Sequence, residues 1–285
     1  MIEIVKVENK DQEREFVMFP FSLYKGCDYW VPPIISEELE SMDKEKNPVF
    51  ENAEAEFYIA KKDGVTVGRI AAMVNWVEIE EQKKNKLRFG WYDTIDDLEV
   101  SKKLLESVIE FGKKRKLEFV DGPVGFSNMD KAGLLIEGYE ELNTMITWYH
   151  YPYQKEHLKK LGFSKLAEWV EYKIKIFSAE DAPEKVKKFS KIIQQRYELK
   201  VLNFKSRKEI IPYVDKMFEL LNVTYSNLQT YVTIKQYQID FYKEKFIKYI
   251  HPDFIKCCLD KDDNLIAFLI TCLLYTSPSP RDTRE

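Results

Sequence analysis

Histidine is scarce in this chain, three residues in 285, and neither His157 nor His251 has a ligating partner at a useful spacing, so no metal is expected. Cysteine is scarce too. Of Cys27, Cys257, Cys258 and Cys272, only two are adjacent, and Cys257 and Cys258 in a strand would point to opposite faces. They read as small buried hydrophobes in a reducing compartment rather than a disulfide framework. Positive charge is not in excess: 44 Lys and Arg stand against 48 Asp and Glu. With no basic field to hold phosphates, no nucleic acid partner is expected. No stretch approaches the roughly 18 apolar residues of a membrane span, and Met1 to Val5 carries neither a basic n-region nor an apolar h-region. The expectation is a cytoplasmic protein without a membrane partner.

What is present is material for cores. Hydrophobic residues make up 45% of the chain, with 18 Phe and 17 Tyr, and the length suggests two domains. Periodicity predicts a strand over 2–7, a helix over 11–23, and strands over 54–61 and 66–75 joined by the turn residues Asp63-Gly64 as an antiparallel hairpin. A strand over 86–94 follows, then a helix over 98–116 with Val100, Leu104, Val108 and Phe111 on one stripe, and a strand over 118–122. The helix between the last two strands makes them parallel. After an irregular stretch, Pro152 opens a short helix that stops at Gly162, suited to a left-handed position, and 166–177 is expected as a strand. Residues 179–183 read as a linker. Beyond it the pattern gives helices over 183–197, 209–228 and 234–249 and strands over 200–204, 254–260 and 265–271, an echo of the first hairpin after helical segments.

The last residues, Cys272-Leu273-Leu274-Tyr275-Thr276-Ser277-Pro278-Ser279-Pro280-Arg281-Asp282, resemble the translation of a sequencing-library transposon adaptor. The native sequence is therefore expected to end near Thr271, with a natural Ser/Pro-rich tail as the other reading. The expected organisation is 1–177 as one domain, 178–271 as a partial second domain and 272–285 as a non-native tail.

The order β-α-β-β-β-α-β, with Leu158-Lys159-Lys160-Leu161-Gly162-Phe163 before a strand, resembles the GNAT (GCN5-related N-acetyltransferase-like) superfamily. Tyr24-Lys25-Gly26, Tyr29-Trp30-Val31-Pro32-Pro33, Asn47-Pro48 and the run from Gly122 to Asn128 are similar to a bacterial two-domain subgroup of GNAT-like proteins. The resemblance covers 1–177, and the remainder by element order alone. It implies an α/β fold with a mixed α+β sheet, a GNAT-like acyl-CoA N-acyltransferase fold, with a second, truncated GNAT-like half. It also implies an N-acyltransferase that moves an acyl group from acyl-CoA or an acyl carrier to an amine on a small molecule. A neutral amine attacks the thioester, strand N–H groups polarise the carbonyl, and an acid protonates the sulfur.

Two positions depart from the family pattern. Relatives hold the CoA diphosphate on a glycine-bearing loop before a helix, but here Asp93-Thr94-Ile95-Asp96-Asp97-Leu98 has no glycine and three carboxylates. Asp96 with Glu99 reads instead as a capping box. The family's acid, a Tyr opening the Tyr-x-x-Leu-Gly-Phe pattern, falls on Leu158, so Tyr153 and Tyr149 are the candidate proton donors. Tyr149, Tyr151 and Tyr153 alternate, so Tyr149 and Tyr153 would share a face in a regular extended run, either lining a pocket or packing over a sheet edge. Phe126, Ser127 and Asn128 follow the fifth strand, where the fold opens a slot, and are the candidate substrate-binding residues; local turn chemistry is the alternative. Residue types alone also allow a Ser127, His150, Asp130 hydrolase triad, without a nucleophile-elbow motif behind it. Aromatics at Tyr225, Tyr231, Tyr237, Phe241 and Tyr242 read as helix-face packing. The rival to an enzyme is a GNAT-shaped module that binds a small ligand without catalysis, and with the second half incomplete the chain itself is expected to be inactive.

Overall fold

The computed structural model describes residues 1–144, 147–172, 178, 180–228, 230–246 and 250–271. The chain forms two compact units: Met1–Val170 together with Leu228–Thr233, and Glu171–Asn227 together with Ile234–Glu285.

In the first unit, β1 (Ile2–Lys6), β2 (Ala53–Lys62), β3 (Val65–Asn75), β4 (Lys86–Thr94) and β5 (Phe119–Asp121) make one sheet in sequential order. The first three pairings are antiparallel, and β4 with β5 is parallel. The hairpin between β2 and β3 forms because Asp63 (φ 54°) and Gly64 (φ 81°) both take the left-handed region that a two-residue turn demands. β4 is buried along its whole length because both faces of the sheet are covered. On one face α4 (Leu98–Lys114) lays Val100, Leu104, Val108 and Phe111 against Ile70, Ala72, Leu87 and Phe89. On the other, α1 (Lys10–Leu23) and α2 (Ile35–Met42) bring Phe16, Val17 and Met42 onto Phe57, Met73, Trp91 and Phe126.

Two backbone features shape the end of β4. Opposite Ile70 the ladder slips between the Arg69–Asp93 and Ala71–Gly90 pairs, and Trp91 sits at φ 47°, so β4 bulges. Beside the bulge a Cβ on Gly90 would lie 2.5 Å from the Val124 carbonyl oxygen, so glycine is what lets the chain after β5 approach. A short α3 (Trp76–Glu80) leads from β3, and α5 (Pro152–Lys160) packs on the α4 face, where Leu158 is buried and Phe163 meets Phe89 edge-on at 5.6 Å. Gly162, at φ 90°, takes the expected left-handed stop.

The second unit holds α6 (Glu184–Arg196), β6 (Lys200–Asn203), α7 (Arg207–Tyr225), α8 (Gln236–Phe246), β7 (Ile255–Leu259) and β8 (Leu265–Ile270). Its three strands run in the order β6-β7-β8, all antiparallel, over a core of Ile210, Val214, Met217, Ile255, Cys257 and Leu259. The succession β-α-α-β-β repeats that of β1, α1, α2, β2 and β3, and the second hairpin also turns through an aspartate at positive φ, Asp263.

The expected mixed α/β sheet is present, with two differences from the sequence reading. α2 and α3 were not expected: eight and five residues are too short for a periodicity to stand out. Residues 164–172 form no strand, and 173–177 lie outside the described residues. Leu166, Trp169, Val170 and Tyr172 are apolar enough for one, but a strand requires a neighbouring edge and composition does not supply it. The tail 272–285 and the helix end 247–249 also lie outside the described residues.

Candidate functional site

The bulge in β4 is followed by Asp93, which faces the α1 side of the sheet. Arg69 of β3, its partner across the ladder, donates from Nε to Asp93 Oδ2 at 2.8 Å and from Nη1 to the Phe16 carbonyl at 3.1 Å. Tyr24, which ends α1, donates its hydroxyl to Asp93 Oδ1 at 2.6 Å. Burial, followed by the Asp93 charge, holds the Tyr24 phenol far above its ordinary range, so it stays a donor. All three groups are buried.

Beside this triad is a small pocket of about 20 Å³, room for one water, lined by Tyr24, Trp30, Trp148 and Tyr149 together with Glu38 of α2 and Lys131. Glu38 Oε2 accepts from the Trp91 indole N–H at 2.7 Å. Trp30 is braced by Phe21 at 5.2 Å and Tyr24 at 5.4 Å, and Trp148 by Trp91 at 6.0 Å. Two carboxylates, Glu38 and Asp93, thus share the lining of the pocket, and a carboxylate can take a proton through a water held there.

The candidate donors separate. Tyr149 lines the pocket, and its hydroxyl donates to the Tyr139 carbonyl at 3.2 Å. Tyr153 lies on the β4–α4 loop and donates to the Thr94 carbonyl at 2.7 Å. Burial first, then neighbouring groups, raises both phenols. They do not share a face as an extended run would have them, because Pro152 starts α5 and the Tyr151 ring stands between, 5.7 Å from each.

Phe126, Ser127 and Asn128 do not converge on a ligand slot. Phe126 is core, against Phe50 and Trp91. Ser127 donates from N and Oγ to Asp130 Oδ2, a local turn. Asn128 does read an amide, but it is the chain's own: in the orientation that satisfies both groups it donates to the Thr230 carbonyl at 2.9 Å and accepts from Val232 N at 3.1 Å. The hydrolase triad is not assembled, since His150 Nδ1 accepts from Leu135 N and its ring does not reach Ser127.

The start of α4 does not fit a CoA diphosphate. Asp97, not Asp96, is the N-cap: its side chain accepts from Glu99 N at 3.0 Å, and its carbonyl takes Val100 N and Ser101 N. Asp96 is drawn away to His157 Nε2 at 3.1 Å, while His157 Nδ1 meets Ser101 Oγ at 2.9 Å. The capping box expected of Asp96 and Glu99 is therefore absent, because α5 supplies Asp96 with a different partner. An anion here would meet two carboxylates and donors already spent. Lys62 also pairs with Asp97 at 3.1 Å and holds that carboxyl below its usual range. Asp97→Ala is expected to cost about 1 kcal/mol in urea unfolding, with Asp97→Asn retaining most of that as a cap.

Among the described residues no group of three or more His, Cys, Asp or Glu is placed to hold a metal, and no helix is long and apolar enough to cross a membrane. Sequence reading missed Tyr24, Trp30, Glu38 and Arg69 as site residues and saw Asp93 only as part of a loop. One signal could have found two of them: Arg69 and Asp93 are charges inside strands that are otherwise largely apolar.

No protein-family model matches the chain. Among curated proteins it is similar to Protein YghO of Escherichia coli K12, 26% identical over 266 residues, covering 92% of this chain and 66% of that one. It is also similar to the bacterial ceramide synthase of Caulobacter vibrioides NA1000/CB15N, 22% identical over 174 residues, 60% of this chain and 45% of the relative. The chain thus spans just under two thirds of the first relative's length and less than half of the second's. Among solved structures, a tandem GNAT protein from the clavulanic acid biosynthesis pathway covers 94% of this chain and 73% of its own at 10% identity and a TM-score of 0.44. An acetyltransferase of the GNAT family from Staphylococcus aureus Mu50 covers 43% and 73% at 16% identity and a TM-score of 0.32. The class of the first unit follows from its own sheet: strands in sequential order, antiparallel up to β4 and parallel from β4 to β5 across α4, make a mixed α/β fold, the arrangement that the sequence resemblance to GNAT proteins implies.

Proposed function

We propose that the protein is an N-acyltransferase that moves an acyl group from acyl-CoA or an acyl carrier to an amine whose nitrogen approaches the small pocket over Asp93. The observation that carries this reading is the anchored carboxylate itself: Asp93, fixed by Arg69 and Tyr24 beside the bulge of β4 and on the lining of a pocket that holds about one water. An ammonium must lose a proton before it can attack a carbonyl, and Asp93 is the group placed to take it, directly or through one water. Tyr149, kept protonated by burial and on the pocket's lining, is the candidate donor for a leaving group once its hydroxyl lets go of the Tyr139 carbonyl, whereas Tyr153 is held more closely by the carbonyl of Thr94 at the end of β4. The amide formed by a ceramide synthase is of the same chemical class, which supports N-acylation; the acyl donor's diphosphate would have to be held away from the α4 N-terminus.

That mismatch favours a second reading, a GNAT-shaped module that binds a small molecule without turnover. Thiol release from acyl-CoA donors in the presence of amines separates the two. For the enzyme, release is amine-dependent, and Asp93→Asn lowers kcat/KM about 10²-fold. Amine binding without release, and without acyl-CoA binding by calorimetry, establishes the module.

A further inference from the structure

Residues 228–233 lie between α7 and α8 in sequence, yet they group with the first unit. The chain therefore leaves the second unit after α7, passes through the first, and returns at α8. What the first unit holds of this segment is main chain. Asn128 donates to the Thr230 carbonyl at 2.9 Å and accepts from Val232 N at 3.1 Å. Arg88 Nη2 donates to the same Thr230 carbonyl at 2.8 Å, and Gln82 Nε2 to the Tyr231 carbonyl at 3.1 Å. Tyr231 and Val232 are 1% and 3% exposed, as deep as the sheet's own core. A guanidinium buried with Glu78 and two side-chain amides thus find partners in a segment more than 90 positions further along the chain.

The base of the segment is closed within the second unit. Asn222 of α7 clamps Ile234 in the way Asn128 clamps Thr230 and Val232, donating to its carbonyl at 3.0 Å and accepting from its N–H at 2.9 Å. Gln238 Oε1 accepts from Lys235 N at 2.9 Å at the start of α8. With its base closed, the segment is restricted to the few shapes the first unit can bind. With the second unit unfolded, the same residues would have to be ordered from a free chain, at an entropic cost for each one fixed.

We propose that residues 228–233 are a strap that couples the folding of the two units, each stabilising the other when folded. The coupling is reciprocal, because whatever the second unit adds to strap binding the bound strap adds to the second unit. On this reading 1–177 is not a self-sufficient folding unit, whatever reaction the pocket over Asp93 supports.

The test is urea unfolding of the whole chain with one probe in each unit. Trp30, Trp76, Trp91, Trp148 and Trp169, all the tryptophans of the chain, belong to the first unit, so tryptophan fluorescence reports it alone. Hydrogen exchange of the β7 amides, read by mass spectrometry at each urea concentration, reports the second. The native chain is expected to show one shared midpoint. Asn128→Leu removes two of the strap's hydrogen bonds and should separate the midpoints by about 0.5 M urea or more. Val232→Pro deletes the N–H that Asn128 reads, leaves Asn128 and Arg88 in place, and should separate them too. Asp97→Ala, which weakens the first unit at the α4 cap instead, should lower both midpoints together. Two midpoints in the native chain, a midpoint still shared in both strap variants, or an Asp97→Ala shift seen by tryptophan alone overturns the proposal. The native chain and Asp97→Ala decide it even where a strap variant does not fold.

Discussion

Replacing Arg88 by methionine is expected to lower the free energy of unfolding by about 3–5 kcal/mol, the largest effect of any single substitution considered for this chain. Arg88 is 1% exposed and reaches four acceptors: Glu78 Oε2 at 2.6 Å and Oε1 at 2.8 Å, the Gly125 carbonyl at 3.1 Å and the Thr230 carbonyl at 2.8 Å. Glu78 has no exposed surface. Burial by itself would raise its carboxyl, and the hydrogen bonds and charge of Arg88 overcome that and hold it below the ordinary range. Removing the guanidinium strands a buried carboxylate with only Lys86, which is already shared with Asp121 at 2.7 Å, and leaves two carbonyls without a donor. The cost is thus mainly that of the abandoned partner. Glu78→Met combined with Arg88→Met should be at least about 1.5 kcal/mol less destabilised than the sum of the two single changes in urea unfolding. Simple additivity would show that the pair does not act as a unit.

The second large effect is on pH. His150 is 1% exposed and burial lowers its pKa to about 4, against 6.5 for the unperturbed group. Between pH 4 and 6.5 the unfolded chain binds a proton that the native protein does not, so stability rises with pH across that window and levels off above it. The linked change is up to about 3 kcal/mol, from the shift in pKa. Asp130, whose carboxyl is raised by burial, works in the opposite sense, so the slope belonging to His150 is read as the difference between the native chain and His150→Gln. Urea unfolding of the two at pH 7.5 and pH 5 measures it: the native chain should lose more on acidification. Equal losses would mean that His150 is free to protonate in the folded state.

How much of this was legible in the sequence varies by element. The β2–β3 hairpin could be read because a two-residue alternation meets Asp-Gly, and α4 because four apolar residues recur at helical spacing with the first turn capped nearby. Which aspartate caps α4 could not be read. Asp96 and Asp97 are both suited to the position, and His157, 61 residues away from Asp96, decides between them. The strand expected over 166–177 shows the same limit from the other side, since residues 164–172 have the composition but no ladder.

The sequence alone determined the order of β1 to β5 with α1 and α4, the face that α4 buries, and the absence of a glycine at the loop where a diphosphate would bind, because each depends on neighbours a few residues apart. Only the tertiary structure decided which chemistry gathers at the end of β4. Tyr24 and Asp93 are 69 residues apart, Trp91 and Glu38 are 53 apart, and Asn128 meets residues more than a hundred positions on. Local propensity is blind to such distances. Those side chains meet because a bulge and a glycine contact in β4 set where the strand ends, and because α1 and α2 must cover the apolar face it leaves.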